Sequence, residues 1–246
     1  MAGAARVVMI TGAARRIGAA IARAMHVAGY DLALHARHSH SELAALAAEL
    51  DGARAGSVLT LSADFADASQ LAPLVDASIA RFGRLDGLVN NASAFYATPL
   101  GEISPAQWDD LFAANARAPL FLAQAAAPHL AARRGAIVNI ADIYAERALA
   151  GSSVYTMAKA ALIAATRALA LELAPDVRVN AVAPGAVLWP DAGKQPQERE
   201  RLLARTPLAR TATPEEIADA VRWLLADASY VTGQVIRVDG GRSITT

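Results

Sequence analysis

The sequence contains no cysteine. That excludes a disulfide framework, a thiolate zinc site and a cysteine nucleophile, and it suits a reducing cytoplasm. Aromatic residues are scarce, at 5%, so each one carries weight. Neither sign of charge is in excess, because 23 Lys and Arg face 23 Asp and Glu. Nucleic-acid-binding proteins usually carry a basic surplus, so no nucleic-acid partner is expected. Long apolar runs are missing too. The charge-free stretches 87–101 and 118–132 hold about 15 residues each and contain proline, whereas a membrane span needs about 20 apolar residues. The apolar stretch 7–10 is too short for an export signal, and a glycine turn follows it. The expectation is a soluble, unprocessed, cytoplasmic protein with no membrane partner and no metal.

What is present is an apolar fraction of 54% in 246 residues. This is enough for a sizeable core and too much for a disordered chain. Short β-branched runs alternate with longer alanine-rich stretches. Strands are expected over 6–11, 31–35, 57–61, 85–90, 136–140, 177–181 and 235–238. Helices are expected over 15–28, 41–50, 69–82, 107–133, 152–173 and 214–227. Pro119 and Pro128 mark candidate bends in the long fourth helix. Thr213 and Pro214 form an N-cap and first helical residue. This alternation points to an α/β fold, a doubly wound, seven-stranded parallel sheet between two helical layers. One domain over 1–246 is expected, without internal repeat or linker. The polar stretch 188–205 breaks the pattern; it reads either as a solvated loop and helix or as a lid over a site.

Three features carry chemistry. After the first expected strand comes Thr11-Gly12-Ala13-Ala14-Arg15-Arg16-Ile17-Gly18. Gly12 suits a tight turn and Gly18 a close approach, and a helix N-terminus here is a ready anion site. The second expected strand ends in His35-Ala36-Arg37-His38-Ser39, with no acidic residue. Its guanidinium, imidazoles and hydroxyl suit a phosphate, and Arg15 adds charge. Finally, Tyr155 and Lys159 stand four residues apart, on one face of a helix. A nearby ammonium is expected to lower the tyrosine pKa from about 10 and make Tyr155 a general acid.

Together these residues resemble the short-chain dehydrogenase/reductase superfamily. Its cofactor turn is TG-x3-G-x-G, and the middle glycine is here Arg16, the form found in pteridine reductases. The resemblance covers essentially the whole chain, and it implies a Rossmann-type fold and a nicotinamide cofactor. NAD enzymes usually end the second strand with an acid; its absence favours NADPH, with Arg37, His38, Ser39 and His35 near the 2′-phosphate. By resemblance, Gly12, Arg15, Arg16, Ile17 and Gly18 hold the pyrophosphate, and Asp64, beside Phe65, bonds the adenine. Asn91, Ala92 and Ser93, from Asn90-Asn91-Ala92-Ser93, approach the nicotinamide ribose with Ile140, Tyr155 and Lys159. Pro184, Gly185 and Val187 offer backbone groups to the carboxamide.

The resemblance also implies substrate and catalytic residues. Phe95 corresponds to the phenylalanine that stacks a pterin on the nicotinamide, and Arg16, Ser93 and Trp189 line the same site. Most of the superfamily places a serine about a dozen residues before the tyrosine. Here that position is Asp142, 13 residues before Tyr155. A carboxylate cannot donate to a substrate carbonyl unless protonated, but it suits a ring bearing N–H groups. Pteridine reductases share this Asp/Tyr/Lys set. Asn115, in the middle of an expected helix, matches the asparagine that holds a proton-relay water. The expected activity is NADPH-dependent reduction of a dihydropterin, with dihydrofolate and oxidised pterin as further candidates. Relatives are mostly tetramers, so a homotetramer built on helices 107–133 and 152–173 is expected. The alternatives are a carbonyl reductase for acyl thioesters or sugars, which Asp142 argues against, a non-catalytic NADP(H)-sensing module and, least supported, a structural protein.

Overall fold

Strand β1 (Val7–Ile10) is buried at every residue in the computed structural model, which describes residues 5–188 and 196–245. Successive side chains of a strand point to opposite faces. Val8 and Ile10 therefore enter one core with Ile21, Leu34 and Val221. Val7 and Met9 enter the other with Leu74, Leu122 and Val179. A strand apolar on both faces has to be covered on both, which is why the central strands read as near-continuous apolar runs.

Seven parallel strands form one sheet in the order β3-β2-β1-β4-β5-β6-β7. Besides β1 they are β2 (Asp31–Ala36), β3 (Val58–Ser62), β4 (Gly87–Asn90), β5 (Ala136–Ile140), β6 (Arg178–Pro184) and β7 (Val235–Val238). Helices α1 (Arg16–Val27) and α2 (His40–Ala53) cover one face together with α8 (Pro214–Ala226). Helices α3 (Leu71–Phe82), α5 (Ala118–Ala131) and α6 (Ser153–Glu172) cover the other. This is the expected three-layer Rossmann-type arrangement. Strand order reverses between β1 and β4, and the crevice outside the C-terminal strand ends at such a point is where ligands bind in open α/β sheets.

The helix expected over 107–133 is interrupted. Helix α4 (Pro105–Phe112) starts two residues earlier, at a capping box between Ser104 and Gln107. A π-helical turn over Ala113–Arg117 then joins it to α5. The sequence drew attention to the prolines, but the irregularity sits around Asn115. The Nδ2 of Asn115 donates to Leu111 O at 2.9 Å and to Ala94 O at 2.8 Å. The expected Thr213 cap is present as a second capping box, with Glu216. The polar stretch 188–205 contains α7 (Pro196–Ala204). Among the described residues, helix α6 alone is long and apolar enough to cross a membrane by composition. It packs on the sheet and carries buried Lys159, as a core helix does.

A buried polar chain crosses the sheet. Asn90 Nδ2 on β4 donates to Asn139 Oδ1 on β5 at 2.8 Å, and Asn139 Nδ2 donates to Thr166 Oγ1 on α6 at 2.9 Å. Thr166 Oγ1 in turn donates to Leu162 O at 2.8 Å. Each group is satisfied in part by its neighbour, so the chain holds β4, β5 and α6 in one register.

Candidate active site

The C-terminal ends of β1, β4, β5 and β6 surround a cavity of about 330 Å³. The turn after β1 shapes one wall. Gly12 has φ +63°, and a Cβ there would lie 2.8 Å from Ala92 Cα. A Cβ on Gly18 would lie 2.1 Å from Gly12 O and 2.7 Å from Asn91 Nδ2. Neither position admits a side chain without displacing backbone. Thr11 Oγ1 accepts from Asn91 N and Ala92 N, each at 3.0 Å, while Asn91 Nδ2 donates to Thr11 O and Gly12 O. Asn91 thus braces the turn from β4 as well as bordering the cavity.

Helix α1 begins differently from α4 and α8. It has no side-chain cap and no acidic residue in its first turn, so its N–H groups remain for an anion. Arg16 there has φ +54°, a left-handed conformation that favours glycine. Its guanidinium reaches the cavity and donates to Leu188 O at 3.4 Å. Arg15 points away, 3.6 Å from Glu42.

At the end of β2, one expectation is corrected. His35 is 2% exposed and stacks on Phe65 with ring centroids 4.5 Å apart. Its Nε2 lies 3.1 Å from Ala63 O, a pure acceptor, so the proton is on Nε2 and Nδ1 accepts from Gly12 N. Burial lowers its pKa. His35 is therefore a neutral brace for the turn, with no charge to offer a phosphate, and Phe65 is buried behind it. Arg37, His38 and Ser39 remain at the surface. Arg37 Nη1 lies 3.4 Å from Asp64 and 3.7 Å from Asp110, and its Nε donates to His38 Nε2.

The acid–base residues meet on the opposite wall. Tyr155 Oη donates to Asp142 Oδ2 at 2.7 Å, and Asp142 Oδ1 accepts from Tyr144 N at 2.8 Å. Burial pushes the Asp142 pKa up, and its hydrogen bonds and Lys159 hold it back only in part. Lys159 is 2% exposed and donates from Nζ to Ile140 O at 2.8 Å. Burial pulls its pKa down to about 8, against the Asp142 charge. The expected lowering of the Tyr155 pKa is not found. Burial first, then the Asp142 carboxylate, push it up, so the phenol keeps its proton. The sequence showed the cation four residues away, but not the anion at hydrogen-bond distance.

Ser93 and Asn115 stand behind this pair. Ser93 Oγ donates to Asn115 Oδ1 at 2.6 Å, and Asn115 is fully buried. The Phe95 ring is 57% exposed and meets Tyr155 edge to face at 4.7 Å. The cavity thus brings together Arg16, Ile17, Asn91, Ser93 and Phe95 with Ile140, Asp142, Tyr155 and Lys159. Pro184, Gly185 and Val187 close it from β6. Arg37, His38, Ser39 and Asp64 lie outside it, and Trp189 falls outside the described residues. The sequence reading missed Tyr144, Leu149 and Leu202, which also line the cavity. Tyr144 was findable, as a rare aromatic two residues beyond Asp142.

The family described as Enoyl-(Acyl carrier protein) reductase matches residues 12–243. The chain is a short-chain dehydrogenase/reductase. Pteridine reductase 1 of Leishmania tarentolae is 39% identical, over 98% of this chain and 97% of its own length. L-xylulose reductase of Bos taurus is 36% identical, over 97% and 96%. The 3-oxoacyl-[acyl-carrier-protein] reductase of Staphylococcus aureus (strain Mu50) is 33% identical, over 95% and 96%. This short-chain dehydrogenase/reductase is accordingly an oxidoreductase of the pteridine reductase-like kind. The nicotinamide cofactor of such enzymes fits its residues. The uncapped start of α1, a turn too narrow for side chains and the basic end of β2 together suit a pyrophosphate and its nucleoside.

Proposed function

We propose that this enzyme is an NADPH-dependent pteridine reductase. It reduces a C=N bond of a dihydropterin to the tetrahydro form, and accepts dihydrofolate and oxidised pterin as further substrates. The observation that carries this reading is the Asp142–Tyr155 pair, a carboxylate at 2.7 Å from the phenol where the superfamily commonly uses a serine. A serine hydroxyl would donate to a ketone oxygen. The carboxylate instead accepts, as the amino-pyrimidinone edge of a pterin requires.

When bound, the dinucleotide supplies hydride. The protein's own residues supply the rest. Arg37, His38 and Ser39 hold the 2′-phosphate, and the first turn of α1 with Arg16 holds the pyrophosphate. The half-exposed ring of Phe95 offers an apolar surface for the flat heterocycle. Tyr155, held protonated, donates toward the ring nitrogen that gains a proton. Asp142 accepts from the phenol and holds it in place, and water returns the proton that Tyr155 gives. Lys159 keeps a positive charge beneath the phenol and stabilises developing negative charge on it. Ser93 and Asn115 provide a polar route behind Tyr155. Exposed Leu120, Phe121 and Met157 on α5 and α6 support the homotetramer as its working form.

The test is cofactor oxidation by the purified enzyme with dihydrobiopterin, biopterin, dihydrofolate and an acetoacetyl thioester, each with NADPH and with NADH. Turnover of pterins with NADPH is expected. Turnover confined to the thioester would overturn the reading. Light scattering that finds a monomer would remove the tetramer.

A further inference from the structure

A second cavity of about 210 Å³ opens beside the first, and the two share Ile143, Tyr144 and Leu149. Three arginines line it, Arg147, Arg205 and Arg242, together with Thr245. No acidic residue does. Several arginines elsewhere in the chain meet carboxylates. Arg23, Arg54, Arg84, Arg210, Arg222 and Arg237 each have one. Among the described residues, none of the three cavity arginines is in an ion pair.

Two described acids close in sequence to these arginines, Glu146 and Asp239, already have partners. Glu146 is bound to Arg237. Asp239 accepts from Gly241 N and Ser243 N. Two of the arginines are held in place by neutral acceptors. Arg147 Nη1 donates to Arg242 O and Thr245 O, and Arg242 Nη1 donates to Leu202 O. Arg205 is exposed, and its guanidinium has no protein partner among the described residues. Three clustered cations, two of them positioned, suit an anion supplied from outside.

Tyr144 connects this cluster to the acid–base pair. Its backbone N–H holds Asp142 Oδ1 at 2.8 Å, and its hydroxyl lies 3.5 Å from Arg242 Nη2. A ligand whose ring lies beside Tyr155 can therefore run past Tyr144 without leaving the protein surface. We propose that Arg147, Arg205 and Arg242 form a subsite for a carboxylate at the tail of the substrate. The proposal rests on the pteridine reductase reading and narrows it. The favoured substrates are pterins whose side chain ends in carboxylates, as the glutamyl tail of dihydrofolate does, over pterins with a neutral side chain.

Arg205→Ala is the cleanest variant, because its side chain supports no internal bond. Its ratio of kcat/KM for dihydrofolate to that for dihydrobiopterin is expected to fall about tenfold, the worth of one charge-assisted bond. Arg205→Lys, which keeps the charge without the planar fork, should restore part of the ratio. A second readout needs no turnover. p-Aminobenzoylglutamate, the tail alone, is titrated into wild type and Arg205→Ala by ligand-observed NMR, and the variant should bind it more weakly. An unchanged ratio and unchanged fragment binding would overturn the subsite while leaving pterin reduction intact. If wild type reduces neither pterin nor folate, the reductase reading fails, and fragment binding alone decides the subsite. 4′-Phosphopantetheine is the third probe. Arg205-dependent binding of it, with none of the glutamyl fragment, would overturn the carboxylate assignment.

Discussion

Asparagine at position 142 would remove a charge and keep the shape. In wild type the Tyr155 phenol donates to Asp142 at 2.7 Å. Hydrogen bonds to charged groups contribute about 1.5–3 kcal/mol, and general acid–base assistance typically about 10²–10⁴ in rate. Asp142→Asn is therefore expected to lower kcat for dihydropterin about a hundredfold, close to 2.7 kcal/mol of barrier. The pH profile adds a second mark. Lys159, at about pH 8, is raised by the Asp142 charge against the pull of burial. Wild-type activity should fall as pH climbs through about 8 and the ammonium loses its proton. Without the carboxylate that fall should begin at lower pH. The acidic limb, set in wild type by an Asp142 carboxyl raised above its ordinary value, should disappear. Stopped-flow and steady-state NADPH oxidation across pH would measure both. A variant with kcat within about threefold of wild type, or an alkaline limb that stays or moves upward, would refute the assignment.

Three further outcomes follow from the same geometry. Lys159→Met should abolish turnover yet stabilise the fold at neutral pH by up to about 3 kcal/mol, since the buried ammonium titrates well below its ordinary value. The folded pKa lies below the unfolded one, so the cost is full below about pH 8 and is relieved as pH rises toward 10.5. Urea unfolding at two pH values would show wild type gaining stability over that window and the variant not. Arg16→Gly should raise stability by about 0.5–1 kcal/mol by removing a left-handed arginine and weaken cofactor and pterin binding, read by thermal melts and by titration. Gly18→Ala should lose cofactor binding in a fluorescence titration, because its Cβ would sit 2.1 Å from Gly12 O.

Much of the fold was legible because both sheet faces are covered. Runs such as Ala136–Ile140 are buried throughout and apolar but for Asn139, and their length and spacing separate them from helices. The same property hid His35. In a strand buried on both sides, alternation no longer tells inside from outside, so a polar residue at the strand end reads as exposed. The π turn at Asn115 was illegible for another reason: it answers to Ala94 O and Ser93, which are distant in sequence. The Tyr155–Lys159 spacing on α6 was readable from local periodicity. The sign of the tyrosine shift was not, since it depends on how deeply Asp142 and Tyr155 sit together. The arginine cavity joins the segment after β5, the end of α7 and the C-terminal turn, three pieces that no local pattern connects.

The chain of Asn90, Asn139 and Thr166 has a consequence beyond holding strands together. Thr166 lies eleven residues beyond Tyr155 on the same helix, about 16 Å along its axis. By gripping Thr166, the interior of the sheet acts as a datum from which the height of Tyr155 is measured. Phe95, five residues past Asn90, is measured from the same origin. The gap between the two rings is therefore gauged from the protein's middle, with the loop that carries Phe95 pinned at Ala94 O by Asn115, and the other loops around the cavity can be remade without resetting it.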